Sequence, residues 1–150
     1  MKRREMLAAA GTGLAMLALV RPAFATTEEM AAAINTFTGG VKPTEGKMTF
    51  DIAQLIDNGN AVPVTIAVDS PMSAAGHVSA IAIFNERNPQ TDVAVFTLGP
   101  RAGKAQVSTR IRLATSQKLT AVARMSDGSY RSTSVSVIVA LAACIEGEAP

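Results

Sequence analysis

Much of the chain alternates apolar and polar residues with a period of two, which is typical of half-buried β-strands. In the clearest example, Val62, Val64, Ile66 and Val68 are separated by smaller or more polar residues. This pattern predicts a strand that buries one face. Pro63 cannot donate a ladder hydrogen bond, so we expect it at a sheet edge or at the start of the strand.

Residues 78–84 form a nearly continuous apolar run, VSAIAIF. A run of this kind predicts a central strand that is covered on both faces. Turn residues separate the other β-branched runs, as expected for short strands joined by hairpins. The additional predicted strands comprise residues 93–98, 106–113, 118–125 and 132–139.

One short helix is predicted before the strands. Thr26 is a good N-cap residue, and Glu28 and Glu29 suit the positive end of a helix dipole. Helix-forming residues continue to about Phe37, and two glycines then end the helix. Residues 41–47 are predicted to form a loop.

The clearest turn is at Asn58 and Gly59, because an Asn-Gly pair readily adopts positive φ. Six or seven short strands with hairpin-length connections favour a sandwich over a βαβ fold. We therefore predict an all-β fold, an immunoglobulin-like antiparallel β-sandwich with a short N-terminal helix and a flexible C-terminal arm.

The composition limits the kinds of site that the chain can build. A length of 150 residues suits one domain, and the single Cys and single His cannot form a Cys/His zinc site or an internal disulfide. Four of the fourteen basic residues and one of the twelve acidic residues precede position 26, which leaves a net charge of −1. No metal site and no nucleic-acid binding are therefore expected.

The first 25 residues are typical of an export signal. Arg3 and Arg4 precede an apolar run at residues 6–20, and Ala23 and Ala25 form an A-x-A cleavage site. The run is shorter than the roughly 20 residues that cross a bilayer, so no stable membrane anchor is expected. The paired arginines indicate a twin-arginine signal. We expect the mature chain in the periplasm.

Other candidate residues are interpreted more simply. His77 is the only imidazole and no nucleophile motif lies near it, so a hydrogen-bonded loop histidine is expected. Arg110 and Arg112 are spaced to share one strand face, and Arg124 lies on another strand. An anion site is one reading of these arginines, and an ordinary solvated sheet face is the favoured one.

Cys144 is the most informative residue. It lies beyond the last predicted strand, and an unpaired thiol in an oxidising compartment requires an explanation. If strand pairing stops near Val139, five extended residues reach roughly 16 to 18 Å from the fold. The predicted organisation is a signal at residues 1–25, a helix and loop at 26–45, a sandwich at 46–140 and a cysteine arm at 141–150.

Four segments and the terminal cysteine arm resemble the SoxY family. The segments are NGNAVPV at residues 58–64, FNERNP at 84–89, STRIRLA at 108–114 and MSDG at 125–128. The resemblance extends from about Glu45 to Cys144. It implies a carrier subunit of periplasmic sulfur oxidation, for thiosulfate or a related compound, with Cys144 as the covalent attachment site for a sulfur intermediate.

The resemblance also implies partners. It predicts a heterodimer with a SoxZ-like sandwich, a haem enzyme that conjugates the cysteine, and periplasmic redox or hydrolytic enzymes that act on the arm. The carrier is then a substrate of these enzymes and not an enzyme itself, and it needs no cofactor apart from the covalent intermediate on Cys144.

The arm departs from the family pattern, because SoxY arms end in Gly-Gly-Cys-Gly-Gly. Here Ala142 and Ala143 precede the cysteine, and Ile145 and Glu146 follow it. The chain resembles a SoxY-related group with an Ala-Ala-Cys-Ile-Glu arm.

Two alternatives remain open at this stage. The first is a non-covalent periplasmic binding or scaffold module in which Cys144 is dispensable. The second is an intermolecular disulfide through Cys144, either with a partner or between two copies of the chain.

Overall fold

The computed structural model describes residues 25–141, which form two packed β-sheets and one helix. This arrangement confirms the predicted all-β sandwich with a short N-terminal helix. The helix is α1 (Thr27–Thr38). The strands are β1 (Thr44–Glu45), β2 (Met48–Asp51), β3 (Leu55–Asn58), β4 (Val62–Val68), β5 (Val78–Asn85), β6 (Asp92–Thr97), β7 (Gln106–Ile111), β8 (Gln117–Met125) and β9 (Tyr130–Leu141).

The larger sheet has the strand order β1-β9-β8-β5-β6, and β3 also pairs with β9. Strand β5 lies between two neighbours and is buried on both faces, as predicted from its apolar run. Ile81 and Ile83 face the second sheet, while Ala82 and Phe84 face the helix. Successive side chains of a strand point to opposite faces, so one continuous apolar run serves two separate cores.

The smaller sheet has the order β2-β4-β7. The predicted alternation is confirmed in β4, where the four apolar side chains are buried between the sheets. Pro63 pairs with Arg110 of β7, whereas the pairing of β2 with β4 reaches only Thr65. The missing N–H of Pro63 therefore costs no hydrogen bond to β2, which is consistent with its predicted place at the start of the strand.

Helix α1 packs against the outer face of the larger sheet. Thr26 caps it through a reciprocal capping box with Glu29, and Gly39 ends it at φ 63°, which is in the left-handed region that glycine adopts freely. At its C-terminal end, the ring of Phe37 packs edge-on against Phe84 and Tyr130, each with centroids 5.9 Å apart. Between residues 25 and 141, no helix is long and apolar enough to cross a membrane.

Two short strands depart from the antiparallel prediction. Strands β1 and β3 pair with β9 in parallel, while the other five strand pairs are antiparallel. Strand β1 lies inside the segment predicted as a loop. The chain passes along the edge of β9 at β1, crosses to the smaller sheet at β2, and returns to β9 at β3. Such short strands have no periodic signal of their own, so their partner defines them.

In each of two tight turns, a side-chain oxygen accepts a hydrogen bond from the backbone N–H two residues later. The turn at Asn58 is present, but Gly59 does not have the positive φ that an Asn-Gly pair readily adopts. Instead the Asn58 side chain accepts a hydrogen bond from the Asn60 N–H at 2.9 Å. Asp127 forms a similar turn, and its bonds with the Ser129 hydroxyl and N–H lower the pKa of its carboxyl.

Replacing Phe37 by Ala is expected to lower the free energy of unfolding by about 3 kcal/mol, because it removes the aromatic ring that holds α1 on the sheet. Denaturant unfolding measures the loss. Val41→Ala is the control, because Val41 is 47% exposed just beyond the helix and its loss should change stability by no more than about 0.5 kcal/mol. Equal effects of the two substitutions would contradict the prediction.

Candidate functional site

Most of the residues predicted to act lie outside the described part of the chain. This is the case for Cys144 and its flanking residues, and also for the signal residues. The predicted residues that lie there are Cys144, Ala142, Ala143, Ile145, Glu146, Arg3, Arg4 and Ala23. The structure describes the chain up to Leu141, three residues before Cys144.

Ala25, the last residue of the predicted signal, is the first described residue. It is buried, and its N–H donates to the Asn88 carbonyl at 3.0 Å. The next residue, Thr26, is the N-cap of α1. The predicted cleavage position therefore lies directly against the folded domain.

The end of β9 is held on both edges. The Ile138 N–H donates to the Gln54 carbonyl, and the Val139 N–H donates to the Ser116 hydroxyl, both at 2.8 Å. Because successive N–H groups of a strand point to opposite edges, β3 lies on the edge of β9 opposite β8. The pairing continues to Leu141, which lies opposite Asn58. We call these residues around the end of β9 the arm root.

The strand is longer than the sequence predicted, and the arm is correspondingly shorter. Pairing was expected to stop near Val139, but β9 runs to Leu141. Three residues of chain lead from Leu141 to Cys144, and three residues span at most about 11 Å. The expected reach of 16 to 18 Å from the end of the strand is therefore wrong.

The FNERNP segment at residues 84–89 organises the loops at this same end of the sandwich. Asn85 is fully buried, and its amide donates to the carbonyls of Gln90 and Thr91 at 2.7 and 3.2 Å. Its side-chain oxygen accepts the Asn88 N–H at 2.8 Å. One buried amide thus closes the loop between β5 and β6.

Asn88 extends this network to the smaller sheet. Its amide donates to the Arg112 carbonyl at 2.8 Å, and its side-chain oxygen accepts from the Ala114 N–H and the Gln117 amide, both at 2.9 Å. The Gln117 oxygen in turn accepts the Arg87 N–H at 3.1 Å. The loops that follow β5 and β7 are therefore joined by side chains, and residues 115–117 beside the arm root are held with them.

Glu86 connects the same loops to the helix. One carboxylate oxygen accepts the Lys118 N–H at 3.0 Å, and the other accepts the Thr27 hydroxyl at 3.1 Å. The start of α1 and the start of β8 thereby share one acceptor. In the sequence this segment shows only a family likeness. Its structural role has no local signal, because it depends on contacts with residues 32 and 59 positions away.

The other candidate residues are dispersed. Arg110 and Arg112 are exposed and line an open cleft of about 530 Å³ between β6 and β7, which Asp92 also lines. Arg124 lies elsewhere, over the ring of Phe37 and bonded to the Ser79 hydroxyl. The three arginines do not form one site.

His77 is a hydrogen-bonded loop residue, as predicted, with its Nδ1 3.1 Å from the Ser73 carbonyl. Within residues 25–141, no three His, Cys, Asp or Glu side chains are grouped so that they could hold a metal ion.

Replacing Asn85 by Ala is expected to lower the free energy of unfolding by about 3 kcal/mol, because it leaves buried backbone groups without partners. Thermal or denaturant unfolding measures the change. Arg87→Ala is the matched control in the same loop, since its side chain is exposed and its backbone N–H is retained. A loss of stability in the control as large as in Asn85→Ala would refute this role.

Comparison with known proteins gives a family match. The model of the family described as sulfur oxidation protein SoxY matches residues 34–144. None of the curated proteins compared by sequence matches the chain.

Solved structures share the fold. The sulfur carrier protein SoxY from Chlorobium limicola f thiosulfatophilum is 28% identical with a TM-score of 0.64, and the match covers 76% of this chain and 98% of that one. A superoxide reductase (neelaredoxin) from Ignicoccus hospitalis is 14% identical with a TM-score of 0.56, over 77% and 94% of the two chains. A putative superoxide reductase from Thermotoga maritima is 16% identical with a TM-score of 0.54, over 69% and 89%.

The two reductases are similar in fold alone. The family match covers most of the chain, from within α1 to the cysteine of the arm. The chain therefore belongs to the SoxY family of sulfur oxidation proteins.

Proposed function

We propose that this chain is a sulfur carrier subunit that holds a sulfur intermediate covalently on Cys144 and presents it to partner enzymes. The main support for the proposal is the position at which the family match ends. It runs to residue 144, which is the only cysteine of the chain. The similarity to the SoxY sulfur carrier of Chlorobium supports the same function.

The chemistry requires little of the carrier itself. Joining a thiol to the outer sulfur of thiosulfate forms an S–S bond and releases one proton and two electrons, so an oxidising partner must accept the electrons. The only imidazole, His77, lies in the loop before β5 at the opposite end of that strand from Asn85 and the arm root. The carrier therefore supplies the thiol and its position, and the partner enzymes supply catalysis.

The flanking residues define the channel that the arm fits. Ala142 and Ala143 replace the two glycines that precede the cysteine in the usual arm, and Ile145 and Glu146 replace those that follow it. A β-branched side chain and a carboxylate need more width than glycine does. The partner active sites are therefore wider than those that accept a Gly-Gly-Cys-Gly-Gly arm.

The proposed setting is the periplasm, reached by the twin-arginine route and in complex with a SoxZ-like sandwich. The Arg3-Arg4 pair and the Ala23 to Ala25 cleavage site support the route. Thr26, the first residue after that site, begins the folded domain as the cap of α1.

Replacing Cys144 by Ser is expected to abolish loading without loss of fold. The mature chain, isolated without reductant from cells that oxidise sulfur compounds, should show a mass increase on Cys144 that a reducing agent removes. The serine variant should show none and should unfold at the same denaturant concentration as the native chain.

The same measurement separates the alternatives. A clean free thiol in active cells, together with full activity of Cys144→Ser, would favour the non-covalent binding module. A mass increase equal to a protein chain, released on reduction, would favour the intermolecular disulfide.

Deleting Ala142 and Ala143 is expected to reduce enzymatic loading of Cys144 at least tenfold, because Cys144 then follows Leu141 directly and its maximum reach falls to about 4 Å. Loading is followed by intact mass. The control is Ala142→Gly with Ala143→Gly, which keeps the length and should load at least as fast as the native chain. Unchanged loading after the deletion would show that reach does not matter.

A further inference from the structure

The outer face of β9 changes from polar to apolar side chains at the arm root. Ser132, Ser134 and Ser136 occupy alternate positions on the face that α1 partly covers, and Ile138 is the next residue on that face. The side chain of Ile138 is 63% exposed. The outer face of β9 is thus polar from Ser132 to Ser136 and apolar at the end of the strand.

A second exposed side chain enlarges this feature. Leu55 of β3 lies directly opposite Ile138 and is 66% exposed, and Ala140 is exposed at the next position on the same face. We call Leu55, Ile138 and Ala140 the apolar patch. Edge strands such as β3 normally carry polar side chains on exposed positions, because an exposed apolar edge invites association.

Packing among residues 25–141 does not explain the patch. Ile56 and Val139 are the inward-facing neighbours of Leu55 and Ile138, and they attach β3 to the core. Helix α1 contacts Tyr130 and Val122, farther along the sheet. Lys118 and Ser136, beside the patch, are exposed polar residues, so an apolar centre has a polar rim, as in protein interfaces.

The short arm determines what must lie against the patch. An enzyme that acts on the group carried by Cys144 must place its reactive atoms at that thiol, within about 11 Å of Leu141. Its surface then necessarily faces the arm root. We propose that the apolar patch is the docking surface for the enzymes that load and unload Cys144, and that it meets an apolar rim around their active-site entrance.

This inference rests on the proposed carrier function and adds to it a contact between the folded domain of the carrier and the partner enzyme. The arm alone gives these enzymes only a few residues to recognise. Exposed Leu and Ile side chains that become buried on docking contribute affinity without entering the active site. Their loss should therefore raise the carrier concentration needed for half-maximal loading and leave the maximal rate unchanged.

The test compares two full-length mature variants with the native chain. One carries Leu55→Gln and Ile138→Gln together. The control carries Val95→Gln, because Val95 is 56% exposed on the same face but lies on β6, at the opposite edge of the sheet. Periplasmic extract of the source organism and thiosulfate supply the loading reaction, and intact mass follows the adduct on Cys144.

The double variant is expected to need at least tenfold more carrier for half-maximal loading, and the control no more than twofold. Excess Cys144→Ser chain should slow the loading of native chain, and should lose this effect when it also carries the double substitution. A small disulfide reagent should react with Cys144 equally fast in all three chains. A slower reaction in the double variant would overturn the inference, since the thiol itself would then be altered.

Three further results are decisive. If the native chain is loaded and the double variant is loaded equally well, the docking surface is wrong and the carrier function stands. If the native chain gains no adduct, the carrier function fails and the inference fails with it. If sedimentation shows a native dimer that the double variant converts to monomer, the patch joins two copies of this chain and the inference is overturned.

Discussion

The hydrogen bonds along both edges of β9 are the constraint on which the rest of the molecule depends. On one edge β9 pairs with β8, and on the other it pairs with β1 and then β3. These pairings hold the larger sheet together, return the chain from the smaller sheet, and fix where residue 141 lies. Cys144 follows three residues after this fixed strand end.

The two faces of the larger sheet are covered by different elements. Its inner face packs against the smaller sheet, and its outer face is covered by α1 over β5 and β8. Glu86 links the start of α1 to the start of β8, and the Asn85 and Asn88 amides close the loops at that end. Satisfied buried amides hold loops in one arrangement, because each alternative leaves polar groups unpaired. The loops at this end of the sandwich are thus held in one arrangement.

The sequence predicted those parts of the structure that have a local physical signature. The alternation in β4, the apolar run in β5 and the glycines after α1 each specified an element directly. Strands β1 and β3 had no such signature, because a strand of two to four residues is defined by its pairing with β9. The two-residue extension of β9 was missed for the same reason, as Ala140 and Leu141 have no pattern that separates strand from arm. For the site, the sequence singled out Cys144 as the only cysteine. Nothing in the sequence marked Leu55 or Ile138, because they become neighbours on an exposed face only through the pairing of β3 with β9.

The pairing of β3 with β9 also keeps the tether short. Strand β3 has four residues and buries only Ile56 among them, so it is among the least firmly attached strands of the larger sheet. Local opening of so short an edge strand costs far less than global unfolding. Each residue of β9 that is released adds about 3.4 Å to the tether, and release back to Val137 extends the maximum reach to about 24 Å. On the proposed carrier function, a longer tether lowers the effective concentration of the thiol at a partner's active site. The stability of one small strand would then set both the depth of site that the thiol can reach and the efficiency of the reaction there.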